Sequence, residues 1–197
     1  GGTSVTTVGT NSINCRSGVA LNIINATTIG AGNLTFVSIS AGNNDANADP
    51  ANGIVLNNTG SGRLIVTGNG NTSVGGNSSG GTIQNVTGHA ISLTSTQSPS
   101  FTNINIQGAG RSGVDGQQVT NFTLANSTIN NVGTAALGQH DESNVSFNDN
   151  GTFTTTSLSG VVSITQNILT NARRHGIQIE NGSGTISNLT INNNTLT

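Results

Sequence analysis

In a chain of 197 residues, Asn, Thr, Gly and Ser together account for 110, while charged residues make up only 6% and aromatic residues 3%. The length suits one domain, residues 1–197, or one slice of a longer repetitive one. The five basic residues are all Arg and the formal net charge is −2, which excludes nucleic acid as a partner because there is no row of cations to meet a phosphate backbone.

No apolar stretch is long enough to enter a bilayer as a spanning segment. Gly1-Gly2-Thr3-Ser4 lacks the charged and apolar regions of a signal peptide, so an export signal is expected upstream or already removed. Disorder fits poorly, because disordered segments are rich in charge and Pro, and Pro occurs twice here. Cys15 has no second cysteine to pair with, and the simplest reading is a small buried apolar residue.

Along the chain the Gly, Asn, Thr and Ser content penalises helix nearly everywhere. A short pattern recurs instead: a small residue followed by aliphatics at alternate positions. It reads Ser17-Gly18-Val19-Ala20-Leu21, Asn52-Gly53-Ile54-Val55-Leu56, His89-Ala90-Ile91-Ser92-Leu93 and His175-Gly176-Ile177-Gln178-Ile179. Degenerate copies stand at Ser112-Gly113-Val114-Asp115-Gly116 and Thr134-Ala135-Ala136-Leu137. A second segment keeps its own spacing: Phe122-x-Leu124 then Ile129, Val162-x-Ile164 then Leu169, Leu189-x-Ile191 then Leu196. Leu34-x-Phe36, Leu64-x-Val66 and Ile104-x-Ile106 are shorter relatives.

Each unit therefore holds two or three strands, with a core of about 22 residues and loops of variable length; periods of ~20–50 residues signal solenoids or propellers. A propeller blade needs four strands and regular aromatic anchors, so the solenoid is preferred. The expected fold is all-β, a right-handed parallel β-helix of about six to eight rungs in which each strand pairs with its copy one rung away. Corners inside a rung need residues that tolerate positive φ, which explains the Gly and Asn. Asn126, Asn167 and Asn193 are candidate members of a structural hydrogen-bonding ladder; the other reading of these Asn is as solvated turn residues.

The runs Gly81-Thr82-Ile83-Gln84-Asn85, Gly88-His89-Ala90-Ile91-Ser92-Leu93, Phe101-Thr102-Asn103-Ile104-Asn105-Ile106 and Gly184-Thr185-Ile186-Ser187-Asn188-Leu189 resemble right-handed parallel β-helix repeats of the pectate-lyase-like fold. More narrowly, they resemble long, repetitive bacterial exported and surface proteins. The resemblance covers the chain from about Gly18 onward. It implies the fold, and it says little of function, because that fold hosts polysaccharide lyases, autotransporter passengers, tailspikes and adhesins.

Two classes of function stay open. The first is a non-enzymatic extracellular structural or adhesive segment, located outside the cell or on its surface. Its partners would be further rungs of the same chain, a second copy stacked head to tail into a fibre, or surface glycans. The second is a polysaccharide-active enzyme, lyase or glycoside hydrolase, or a weak glycan-binding module. A lyase needs carboxylates on adjacent rungs to hold Ca²⁺ and a base for the α-proton; a hydrolase needs two carboxylates ~5–9.5 Å apart.

The residues best suited to the enzyme reading are Asp115, Asp141, Glu142 and Arg173. Asp115 is expected to share its outward column with Ala20, Val55, Ser92, Leu137 and Gln178, none of them acidic. Residues 138–157 read as an inserted loop, where Asp141, Glu142 and Asp149 form a weak candidate metal site, and Arg173-Arg174 would face that loop if rungs stack in register. No cofactor is expected, and the thirteen Asn-x-Ser/Thr sequons carry no assigned role.

Overall fold

The computed structural model describes residues 3–25, 27–45, 47–137, 141–148 and 155–197. Asp149 and the other parts of the expected insertion at 138–140 and 150–154 lie outside the described residues. Among the described residues there is no helix; short strands pair in parallel throughout. The chain coils through three faces.

The first face stacks Leu21–Ile24, Ile54–Asn57, Ile91–Gln97, the start of Val114–Ala125, Val145–Phe147 and Ile177–Ile179. The second stacks Leu34–Phe36, Leu64–Val66, Ser100–Thr102, the end of Val114–Ala125, Leu158–Thr165 and Ile186–Asn192. The third holds Ser12–Cys15, Ser38–Ala41, Thr82–Gln84, Asn105–Gln107, Thr128–Val132, Ile168–Ala172 and Thr195–Leu196. Six circuits of the three faces result, preceded by the strands Thr3–Val5 and Ser12–Cys15.

Alternation of apolar and polar residues decides which side chains point to the axis. On the first face Leu21, Ile54, Ile91, Val114, Val145 and Ile177 stand in register, and the middle four are fully buried. Phe122, Val162 and Leu189 stack on the second face, as do Leu124, Ile164 and Ile191; Ile129, Leu169 and Leu196 stack on the third. Phe122 also packs edge-on against Phe147 across the core, with ring centroids 4.9 Å apart. In the sixth circuit Leu189, Ile191 and Leu196 are about half exposed.

Corners carry the left-handed residues. At the turn from second to third face Asn103, Asn126, Gln166 and Asn193 all have φ between 49° and 58°, which Asn adopts at less cost than most residues. Asn126 and Asn193 therefore stand in this column and not in that of Asn167. The buried ladder lies one residue on: Asn167 accepts from Ser127 N–H at 3.0 Å and donates to the Leu124 carbonyl at 3.0 Å, and Asn194 repeats the move on Asn167 N–H and the Ile164 carbonyl.

Residues 67–81 form a strap that reaches forward along this corner to the fifth rung and then returns. Asn103 donates to Asn71 O, Asn126 to Ser73 O and Thr128 Oγ1 to Gly75 O. Gly76, at φ 64°, lies so close that a Cβ would meet the Asn126 carbonyl oxygen at 1.9 Å, so the strap needs glycine there.

Three frames differ from the sequence reading. The first-face strand of the first rung is Leu21-Asn22-Ile23, not Val19-Ala20-Leu21, because both frames alternate equally well and only pairing with Ile54 separates them. The fifth rung uses Val145-Ser146-Phe147, whereas Thr134–Leu137 is a turn and exposed stretch. Ile104-x-Ile106 feeds the third face, and Phe101 fills the place given to it on the second. Cys15 is half-buried, not in the core.

Candidate functional site

The outward column of the first face reads Asn22, Val55, Ser92, Asp115, Ser146 and Gln178. It contains no second acid, as expected, although Asn22 and Ser146 take the places given to Ala20 and Leu137. The second carboxylate comes from elsewhere. The segment 141–148 is buried throughout and is moored by main-chain bonds from Gly113 N–H to Ser143 O and Val114 N–H to Asn144 O. Asn144 adds bonds from its side-chain amide to the carbonyls of Ile129 and Thr170. Those moorings carry Asp141 over the corner where His89 and Arg111 enter the two preceding rungs.

There Asp141 Oδ2 lies 2.7 Å from Arg111 Nη2 and 3.4 Å from His89 Nε2, and Asp115 Oδ2 lies 3.9 Å from the same His89 nitrogen. The side chain of Asp141 is 6% exposed and that of Asp115 20%. Burial raises the Asp115 carboxyl above its ordinary 3.8; the positive charge of His89 opposes this, the negative charge of Asp141 adds to it, and burial wins. Burial also acts on Asp141, but the hydrogen bond from His89 and the charges of His89 and Arg111 outweigh it and hold this carboxyl below 3.8. Two neighbouring carboxyls are thus pushed in opposite directions, Asp115 up and Asp141 down. Among the described residues, His89 Nδ1, Arg111 Nε and Asp141 Oδ1 are buried without a hydrogen-bond partner. An open groove of about 440 Å³ is lined by Thr87, Gly110 and Thr134 and by none of the four charged residues.

Of the four residues proposed for the enzyme reading, the structure brings together Asp115 and Asp141. Glu142 and Arg173 form a separate pair: Glu142, fully buried, meets Arg173 Nε at 3.2 Å and Arg174 Nε at 4.0 Å. The two arginines face this segment, as stacking in register requires. Among the described residues no group of His, Cys, Asp or Glu is arranged to hold a metal ion; Asp141 and Glu142 are engaged by Arg guanidinium groups, and Asp149 lies outside the described residues. His89 and Arg111 are the members that sequence reasoning missed. His89 stands in the sequence only as the residue that opens a repeat copy, and Arg111, one residue before the copy that begins at Ser112, was the available signal.

The opposed shifts give a pH prediction. A carboxyl with a raised folded pKa adds stability that is complete below 3.8 and lost as pH climbs through the raised value. Asp115→Asn should therefore melt like the parent near pH 3.8 and above it at neutral pH, measured by circular dichroism. Asp141 works in reverse: its stabilisation is present above 3.8 and fades as pH falls through its lowered value, so Asp141→Asn should flatten the acid limb.

Fold and site together define a parallel β-solenoid that carries a cluster of His89, Arg111, Asp115 and Asp141 on its wall. A family model described as the right handed beta helix region matches residues 77–197, more than half of the chain, and the chain belongs to that family. No curated protein and no solved structure matches it.

Proposed function

We propose that the chain is a section of a stiff exported rod, a structural or adhesive element of the cell surface whose loops make its contacts. The observation that supports this reading is the stacking of apolar columns, which regain register after a bulge in each of two strand pairs, together with the Asn167–Asn194 ladder; main-chain and side-chain bonds thus tie one rung to the next. In a solenoid every added rung lengthens the molecule by one strand spacing, ~4.8 Å, without changing its cross-section. Further rungs of the same chain, or a second copy stacked head to tail, carry the rod forward by the same pairing. Immunogold labelling of intact producing cells with antibodies to the folded chain tests the reading. Label on the outer surface is the expected result, and label confined to the cell interior overturns it.

A second reading is favoured by the split carboxyl pair. In it the cluster binds or cleaves a glycan, Asp115 in its protonated form donating to a sugar oxygen while ionised Asp141, held by Arg111 and His89, faces developing positive charge. Asp115→Asn would then abolish release of reducing ends from a responsive glycan. Glycan arrays without signal, and polymers returned uncleaved, would remove this reading and leave the rod untouched.

A further inference from the structure

Across the fifth and sixth rungs, a serine, a histidine, a glutamine and a glutamate converge in the wall. Ser143 Oγ donates to the side-chain carbonyl Oε1 of Gln178 at 3.2 Å and lies 3.4 Å from His175 Nδ1. The Gln178 amide nitrogen in turn donates to Glu180 Oε1 at 2.6 Å. Ser143 is fully buried and Gln178 is 7% exposed, while Glu180 Oε2 is buried with no hydrogen-bond partner. A hydroxyl beside a base, set against a carboxamide whose leaving nitrogen touches an acid, is the arrangement of an acyl transfer.

We propose that Ser143 and Gln178 form an intramolecular ester that staples the fifth rung to the sixth. Rotation of the hydroxyl toward His175 Nδ1 frees an oxygen lone pair for the Gln178 Cδ, which lies one bond beyond the carbonyl oxygen that the hydroxyl already contacts. The C–O bond forms as the hydroxyl proton passes to His175. The C–N bond then breaks, and the nitrogen leaves as ammonia, taking its third hydrogen from the imidazolium while Glu180 Oε1 steadies it through the bond it already accepts. The atoms balance as hydroxyl plus carboxamide giving ester plus ammonia; nothing is oxidised or reduced and no further reactant enters.

Holding the two groups in contact replaces a collision by a step within one molecule, where effective concentrations reach ~10⁵ M and more. Escape of ammonia to solvent makes the step one-way. The burial of both residues keeps water from the product ester. A covalent link at this place also anchors the base of the 141–148 segment, which otherwise depends on hydrogen bonds and ion pairs.

Mass spectrometry of the purified full chain tests the proposal. The expected mass is below that of the sequence by one ammonia. Trypsin cuts at Arg111, Arg173 and Arg174, so the peptides Ser112–Arg173 and His175–Thr197 should travel as one species that mild hydroxylamine separates. Ser143→Ala and Gln178→Ala should each restore the full mass and two free peptides, with the β signal in circular dichroism reporting that they fold. Ser143→Thr keeps the nucleophile and should keep the link. Glu180→Gln should slow formation without changing the final mass. A wild-type chain at full mass with separate peptides after prolonged incubation overturns the proposal. So does a loss of ammonia that persists in Ser143→Ala, since that would come from an Asn-Gly succinimide such as Asn181-Gly182.

Discussion

Replacing Ile91 with aspartate will unfold the middle of the stack. Ile91 is fully buried, in register with Ile54 on one side and Val114 on the other, and all three belong to one hydrophobic cluster. A carboxylate set there has no cation or donor to meet it, and an unpaired buried charge costs several kcal/mol even after it shifts its pKa or relaxes toward solvent. Against a total stability of about 5–15 kcal/mol for an ordinary domain, that is decisive. Because each rung is held mainly by its neighbours, the loss spreads to the second and fourth rungs before it reaches the ends. Thr94→Asp is the control. Thr94 lies on the same strand with its side chain on the outer face, between Asn57 and Gln117, and the substitution should cost no more than about 0.5 kcal/mol. Urea titration followed by circular dichroism reads both, and an Ile91→Asp chain that keeps its β signal and midpoint would contradict the assigned facing.

The second large effect is expected at Asn167. Its amide is fully buried and serves two main-chain groups of the rung below, the Ser127 N–H and the Leu124 carbonyl. Asn167→Ala strands both. An orphaned buried donor or acceptor costs ~1–3 kcal/mol, so the variant should lose roughly 2–5 kcal/mol. Asn193 stands in the neighbouring corner column, is exposed and has φ 53°. Asn193→Ala should cost at most about 1–2 kcal/mol, the penalty of a left-handed conformation for a residue with a Cβ. Equal melting shifts for the two variants would show that the ladder has been assigned to the wrong column.

These two positions also show what could be read from the sequence and what could not. The second-face segments aligned correctly because Phe122, Val162 and Leu189 each begin runs with identical internal spacing, and a solenoid translates equal spacing into equal height. Asn167 stands in the buried ladder and Asn126 donates to Gln166 Oε1 of the next rung, whereas the first-rung strand and the ladder member of the sixth rung were misplaced for one shared reason. Val19, Leu21 and Ile23 alternate in two frames, and Asn192-Asn193-Asn194 offers three candidates for one place; only partners one rung away choose among them.

The charged cluster was illegible for a different reason. Asp115 arrives by strand position, so its column could be read and was found to hold no other acid. Asp141 arrives on a segment that leaves the repeat, and its approach depends on Asn144 reaching two carbonyls in the adjoining rungs. No periodicity encodes that. Glu142 and Arg173 were candidates for one site with Asp115, yet in the turn and bend that precede Val145 the chain sends Glu142 to the arginines and Asp141 to His89 and Arg111.

The most direct test of the parallel stack is a pair of cysteines placed one above the other. Ser163 and Thr190 are register partners on the outer second face, as are Ser100 and Thr123, and in-register neighbours on parallel strands stand at a separation that a disulfide spans, ~4.4–6.8 Å between Cα atoms. In a Cys15→Ser background, Ser163→Cys with Thr190→Cys, and Ser100→Cys with Thr123→Cys, should each oxidise fully in the folded protein, read by thiol titration and non-reducing mass analysis. The shifted pair Ser163→Cys with Asn188→Cys should stay reduced. Oxidation of the shifted pair in place of the aligned ones would contradict the stack on which the rod, the charged cluster and the staple all rest.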